Sequence, residues 1–169
     1  MSIPPPDYPK PRGLLLGKRV LFTAAAGTGI GFAAAKRFAE EGARVLISDM
    51  HPKRLAEAAA KISEATGTST PSRVCDVTQE KDVRELVDAA LERLGHIDVL
   101  VNNAGLGGSA SVVMMTDEQW SRVLDVTLTS VFRMCRAVLP HMYERGSGVV
   151  INNASVLGWR AQAEQAHYA

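Results

Sequence analysis

Apolar positions along the chain fall into short runs separated by longer amphipathic stretches. Lys18–Ala24 (KRVLFTA) is β-branched and aromatic and closes on small residues, which predicts a strand. From Ile30 to Glu41 the spacing turns helical, with Phe32, Ala35, Phe38 and Ala39 on one face and Gly42 as the stop. Arg44–Ser48 (RVLIS) predicts a second strand. Pro52 suits the first turn of a helix running to about Ala65 and closed by Thr66-Gly67. Ser72–Cys75 is a short third strand. Thr78 is the expected N-cap of a helix over Gln79–Leu94, where Val83, Leu86, Val87, Ala90, Leu91 and Leu94 form one stripe before Gly95. Ile97–Asn102 (IDVLVN) predicts a fourth strand. Thr116 and Gln119 make a capping box for a long helix from about Asp117 to Arg145, expected to bend or break near Pro140. Gly148–Asn152 (GVVIN) predicts a fifth strand.

Strands alternating with helices of this length imply right-handed βαβ crossovers and a parallel sheet covered on both faces. The expected fold class is α/β, a Rossmann-like doubly wound parallel sheet. The near-continuous apolar character of the fourth and fifth strands fits burial on both sides. Residues 13–169 read as one dinucleotide-binding domain. Residues 1–12, rich in proline, read as a flexible extended arm.

Charge and composition narrow the function. Nineteen Lys and Arg against 18 Asp and Glu leave a net charge of +1, with no dominant basic patch, so neither nucleic acid nor a membrane surface is an expected partner. No apolar run approaches the roughly 20 residues of a membrane span. Cys75 and Cys135 lie far apart without metal-ligand spacing and read as reduced thiols of a cytoplasmic protein; no metal site is expected.

The first strand runs into Thr23-Ala24-Ala25-Ala26-Gly27-Thr28-Gly29-Ile30-Gly31 and then a helix. Small residues allow backbone to approach a pyrophosphate, and amides at the helix N-terminus hold its charge. Asp49 ends the second strand, 20 residues after Gly29. A carboxylate there accepts hydrogen bonds from ribose hydroxyls and repels a 2′-phosphate, which favours NAD over NADP.

The glycine turn, Asp76-Val77, Asn102-Asn103-Ala104-Gly105 and the Asn152–Tyr168 segment resemble, in order, the motifs of the short-chain dehydrogenase/reductase family, over about residues 14–169. The resemblance implies an oxidoreductase that moves a hydride between a nicotinamide and a secondary alcohol or ketone. It implies that Asp76 and Val77 flank the adenine, and that Asn103, Ala104 and Gly105 line the cofactor site. It pairs Ser155 with Tyr168, 13 residues apart, as the group orienting the substrate oxygen and the acid/base. A phenol of ordinary pKa near 10 needs cationic neighbours to work in that role. The segment NNASVLGWRAQAEQAHY is similar to actinobacterial members linked to steroid-ring or acyl-CoA breakdown, which implies a steroid-derived or acyl-CoA substrate. A homo-oligomer is implied as well.

This sequence departs from the family pattern at three places. Matching Gly29-Ile30-Gly31 to the family's last two glycines puts Ala25 at the first glycine position, so the turn is expected to be remodelled around Gly27. Thr127 stands where the family commonly has an asparagine that holds a water; it either binds that water or packs in its helix. The family's active-site lysine falls four residues beyond its tyrosine, which here is past Ala169. The chain therefore reads as truncated after the fifth strand. Negligible dehydrogenase activity is expected of the 169 residues alone, with Val123, Val131, Met134 and Val138 left poorly covered. A non-catalytic nucleotide-binding remnant is the competing reading.

Overall fold

The computed structural model describes residues 6–169. Five parallel strands form one sheet: β1 (Arg19–Phe22), β2 (Arg44–Asp49), β3 (Ser72–Val74), β4 (Val99–Asn102) and β5 (Val149–Asn152), in the spatial order β3-β2-β1-β4-β5. Helices α1 (Ile30–Glu40), α2 (Pro52–Thr66) and α3 (Glu80–Leu94) follow the first three strands. Between β4 and β5 comes α4 (Asp117–Leu124), a π-helical segment (Asp125–Thr129) and α5 (Ser130–Arg145). The elements agree with those expected to within a residue or two at their ends, apart from the break in the long helix.

The three inner strands, β1, β2 and β4, are apolar on both faces because each face has its own helix layer. On one side Val20, Phe22, Val45, Ile47, Val99 and Val101 meet Ala35 of α1 and Leu55, Ala58 and Ile62 of α2. On the other, Leu21, Leu46 and Leu100 meet Val83, Leu86 and Ala90 of α3 and Met134, Val138 and Met142 of α5. Successive residues of a strand point to opposite faces, so the run Val20-Leu21-Phe22 feeds both layers.

Several expectations need correction. Gln79, not Thr78, is the N-cap of α3, and it makes no side-chain cap bond. The Thr78 hydroxyl instead donates to Asp76 Oδ1 at 2.8 Å, closing the turn before the helix. The irregularity of the long helix lies at Asp125–Thr129 and not at Pro140, which sits inside α5. Pro140 is on the exposed side, where water can satisfy the carbonyl it cannot bond. Val123, Met134 and Val138 are buried at 4%, 1% and 0% exposure, so they are the core-facing stripe; the uncovered large side chains of this helix are Trp120, Leu128, Phe132 and Tyr143. β5 is not buried on both faces: Val149 and Ile151 are exposed, for β5 is an outer strand of the sheet as described.

The arm also differs from a free leader over its described part. Tyr8 donates to Glu40 Oε2 at 2.6 Å, and its ring lies under the Lys36 and Arg37 cations. The Glu41 carboxylate is buried and accepts the backbone N–H groups of Arg12 (2.8 Å) and Leu14 (3.0 Å) while pairing with Arg37. Residues 1–5 lie outside the described residues.

Candidate functional site

In the strand order β3-β2-β1-β4-β5 the direction of winding reverses between β1 and β4, and a crevice opens at the carboxyl ends of those strands. Thr23, one residue past β1, is buried there. Its hydroxyl oxygen accepts the N–H groups of Asn103 (2.9 Å) and Ala104 (3.2 Å), and its proton points to Val101 O at 3.3 Å. The Asn103 amide donates to Ala24 O at 2.9 Å and accepts from Asn153 Nδ2 at 2.8 Å. Asn102 donates to Asn152 Oδ1 at 2.9 Å. Paired asparagines thus tie the ends of β4 and β5, and one threonine ties β4 to β1. Thr23, Asn152 and Asn153 were not expected in these roles; the only trace of them in the chain is a polar residue where each strand run ends.

The glycine turn is built on this cradle. Its left-handed residues are Ala24 (φ 51°) and Gly27 (φ 88°). Ala25, at the position of the family's first glycine, has no positive φ: it is fully buried and donates its N–H to Ser48 O at 3.0 Å. The methyl of Ala25 packs inward, and the strain moves one residue earlier to Ala24, whose carbonyl is held by Asn103. Gly31 is required for space: a Cβ there would stand 2.4 Å from both Ala24 O and Asn103 Nδ2. Gly29 has open space around its Cβ position and is the N-cap of α1, with no side-chain cap and no acid in the first turn. Thr28, Gly29 and Ile30 are exposed, so uncapped amides of a helix N-terminus face solvent beside the sheet crevice, an arrangement that fits an anionic pyrophosphate.

The crevice continues into a cleft of about 1020 Å³ whose lining includes Ala24, Asp49, Asp76, Val77, Ala104 and Gly105. Asp49 Oδ2 accepts from Ala26 N at 3.3 Å and Oδ1 from His51 N at 3.0 Å, so the acid is fixed to the glycine turn as well as to β2. Asp76 Oδ1 accepts from Thr78 N at 3.0 Å. His51, Arg54 and Trp120 also line the cleft, and neither His51 nor Trp120 was singled out from the sequence. Their signal is weak, since neither residue falls in a motif that carries the family resemblance. Cys75 is in the wall, and burial pushes its thiol up to about 12, aided by Asp82 and Asp76, so it stays protonated.

Ser155, Thr127 and Tyr168 do not line this cleft. Ser155 Oγ accepts Leu157 N at 3.2 Å, which uses the oxygen and leaves the hydroxyl proton to donate. Tyr168 is half-buried and, among the described residues, its hydroxyl has no hydrogen-bond partner. Thr127 lies in the π-helical segment; its Oγ1 donates to Leu106 O and accepts from Leu106 N, both at 3.2 Å. The hydroxyl therefore engages the loop after β4. Among the described residues no cluster of His, Cys, Asp or Glu could hold a metal, and no helix is long and apolar enough to cross a membrane.

The cradle, the turn and the acid lie together at the carboxyl ends of the strands, and a sequence profile of short chain dehydrogenases matches residues 18–169. The chain belongs to the short-chain dehydrogenase family. It is 56% identical over 158 residues to a Mycobacterium tuberculosis protein named (5R,7aS)-5-hydroxy-7a-methyl-1-oxo-2,3,5,6,7,7a-hexahydro-1H-indene-carboxyl-CoA reductase, covering 93% of this chain and 60% of that protein. A short chain dehydrogenase from Mycobacterium smegmatis superposes with a TM-score of 0.92 at 53% identity, over 97% of this chain and 69% of the other. Family members solved with different cofactors match comparably. NAD+-bound xylitol dehydrogenase gives a TM-score of 0.87 at 37% identity over 92% and 59% of the two chains. F189W actinorhodin polyketide ketoreductase with NADPH gives 0.86 at 37% identity over 89% and 58%. The chain thus spans about 60% of the length of the curated relatives it matches.

Proposed function

We propose that these residues form the cofactor half of an NAD-dependent oxidoreductase that interconverts a ring ketone and a secondary alcohol on an acyl-CoA compound. The observation that carries the cofactor reading is the close approach of Gly31 to Ala24 and Asn103, which brings the open N-terminus of α1 against the crevice at the β1/β4 switch point. Asp49 at the mouth supports NAD: its carboxylate suits two ribose hydroxyls and opposes a 2′-phosphate. The substrate class rests on the likeness to the indene-carboxyl-CoA reductase and on the Asn152–Tyr168 segment, and includes steroid-derived ring compounds.

When bound, the nicotinamide supplies or accepts the hydride. In the reductive direction Tyr168 gives its phenolic proton to the carbonyl oxygen and Ser155 donates a hydrogen bond to that oxygen, orienting it. In the oxidative direction Tyr168 takes the proton back. Asp49, Asp76 and Val77 would hold the adenosine end, and Asn103, Ala104 and Gly105 would line the cofactor site. Thr127 shapes the adjoining loop through Leu106. Assembly as a homo-oligomer in the cytoplasm, and the division into an arm over 1–12 and a binding domain over 13–169, belong to the same proposal.

The test is NADH-dependent reduction of a cyclic ketone carried on a CoA thioester by the full-length gene product, followed by NADH absorbance. Tyr168→Phe should lower turnover on the order of 10²–10⁴-fold with NADH binding retained. Wild-type turnover by that variant would remove Tyr168 from the chemistry.

A further inference from the structure

The residue before the tyrosine is His167, one of few buried polar side chains, at 5% exposure, and its Nδ1 has no hydrogen-bond partner among the described residues. Its ring lies against the loop that follows β4. A Cβ on Gly108 would come within 2.8 Å of His167 Nε2, 3.5 Å of its Cε1 and 3.8 Å of Val123 Cγ2. Gly108 has no left-handed φ, so what a side chain there would crowd is the tip of the imidazole. Its neighbour Gly107 has nothing within 4 Å of its Cβ position, which shows that the close packing is specific to the histidine contact.

Two further contacts join the same segments. Ala110 N donates to Glu164 O at 3.1 Å, and Gln165 Nε2 donates to Gly108 O and reaches Ser109 Oγ at 3.4 Å. Glu164 holds a left-handed φ of 62°, a conformation that a non-glycine residue keeps only where its surroundings hold it. At its other end the loop is fixed by Thr127, which bonds both backbone groups of Leu106. The loop 106–110 therefore bridges the π-helical segment to the tyrosine-bearing segment, with His167 as the wedge.

We propose that His167 is a positioning residue for Tyr168: by occupying the space over Gly108 it sets where the segment carrying the phenol lies relative to the crevice. The proposal rests on the acid/base reading of Tyr168 for its catalytic consequence, though not for the physical coupling. His167 touches no reacting atom; it acts through the backbone it shares with Tyr168.

Three variants of the full-length gene product test this: Gly108→Ala, which puts a methyl into the ring, His167→Ala, and the pair together. Each single change should lower kcat by about tenfold with little change in KM for NADH, as expected when a reacting group is misplaced by a fraction of an ångström. The pair should be no worse than His167→Ala alone, because the methyl then has room. With tyrosines labelled at Cζ, the Tyr168 resonance, assigned by Tyr168→Phe, should move in both single variants, while those of Tyr8 and Tyr143 stay in place. Loss of thermal stability with the Tyr168 resonance unmoved, or additive losses in the pair, would overturn the proposal. Undiminished turnover of Tyr168→Phe alongside a shifted resonance in the other variants would overturn the acid/base reading and leave the coupling standing.

Discussion

Replacing Gly31 by alanine probes the cradle directly. The added Cβ would stand 2.4 Å from Ala24 O and from Asn103 Nδ2, so one of the two must move. Neither is a flexible side-chain tip. Ala24 O belongs to a turn already at φ 51°, and Asn103 is held at its other end by Asn153. Overpacking of this kind costs about 1–3 kcal/mol. Losing the Asn103–Ala24 hydrogen bond adds about 1 kcal/mol. Alanine in place of glycine in the first turn of α1 returns at most about 1 kcal/mol of helix propensity. The net loss is about 1–3 kcal/mol, which for a chain of this size lowers Tm by about 2–12 °C. Gly29→Ala is the control: nothing lies within 4 Å of its Cβ position and its φ is −84°, so the fold should tolerate it while the methyl hinders a pyrophosphate. Thermal unfolding by circular dichroism and NADH titration by tryptophan fluorescence separate the two effects. If Gly31→Ala melted with the wild type and bound NADH as well, the close approach of α1 to the crevice would not be what holds the turn.

The remaining predictions concern the acid and the arm. NADH should bind more tightly than NADPH, and Asp49→Asn should narrow the gap; equal affinities of the unaltered chain for both in a fluorescence titration would remove Asp49 from cofactor selection. The backbone N–H groups of Leu14 and Arg12, with Arg37 beside them, hold the Glu41 carboxyl down to about 2 from its ordinary 4.5. Its folded value lies below its unfolded one, so the stability it adds is complete above pH 4.5 and is lost as pH falls toward about 2. Glu41→Gln should therefore flatten the acid limb of a stability-versus-pH curve, and an unchanged limb between pH 4.5 and 2 would show that the clasp does not couple to folding.

The fold was legible in the chain because its signals are local. Apolar runs of strand length, stripes of helical spacing and the Thr116–Gln119 capping box all report on neighbours within a few residues, and the structure contains the box as expected. The family motifs were legible for the same reason. Asp49, Asp76, Val77, Ala104 and Gly105 do come to one cleft, since each lies at the carboxyl end of a parallel strand and the topology brings such ends together. Contacts between segments distant in sequence were not legible. That strain sits on Ala24 and not Ala25 follows from Asn103, about 80 residues away, holding the Ala24 carbonyl. That Thr127 bonds a loop follows from a π-helical turn that no periodicity announces. That a side chain at Gly108 would press on an imidazole 59 positions later in the chain is likewise decided by packing. Hydrophobic pattern specifies which elements form and which faces pair; which polar atom meets which is decided by how the finished layers seat against one another, a matter of ångströms that only the packed tertiary structure determines.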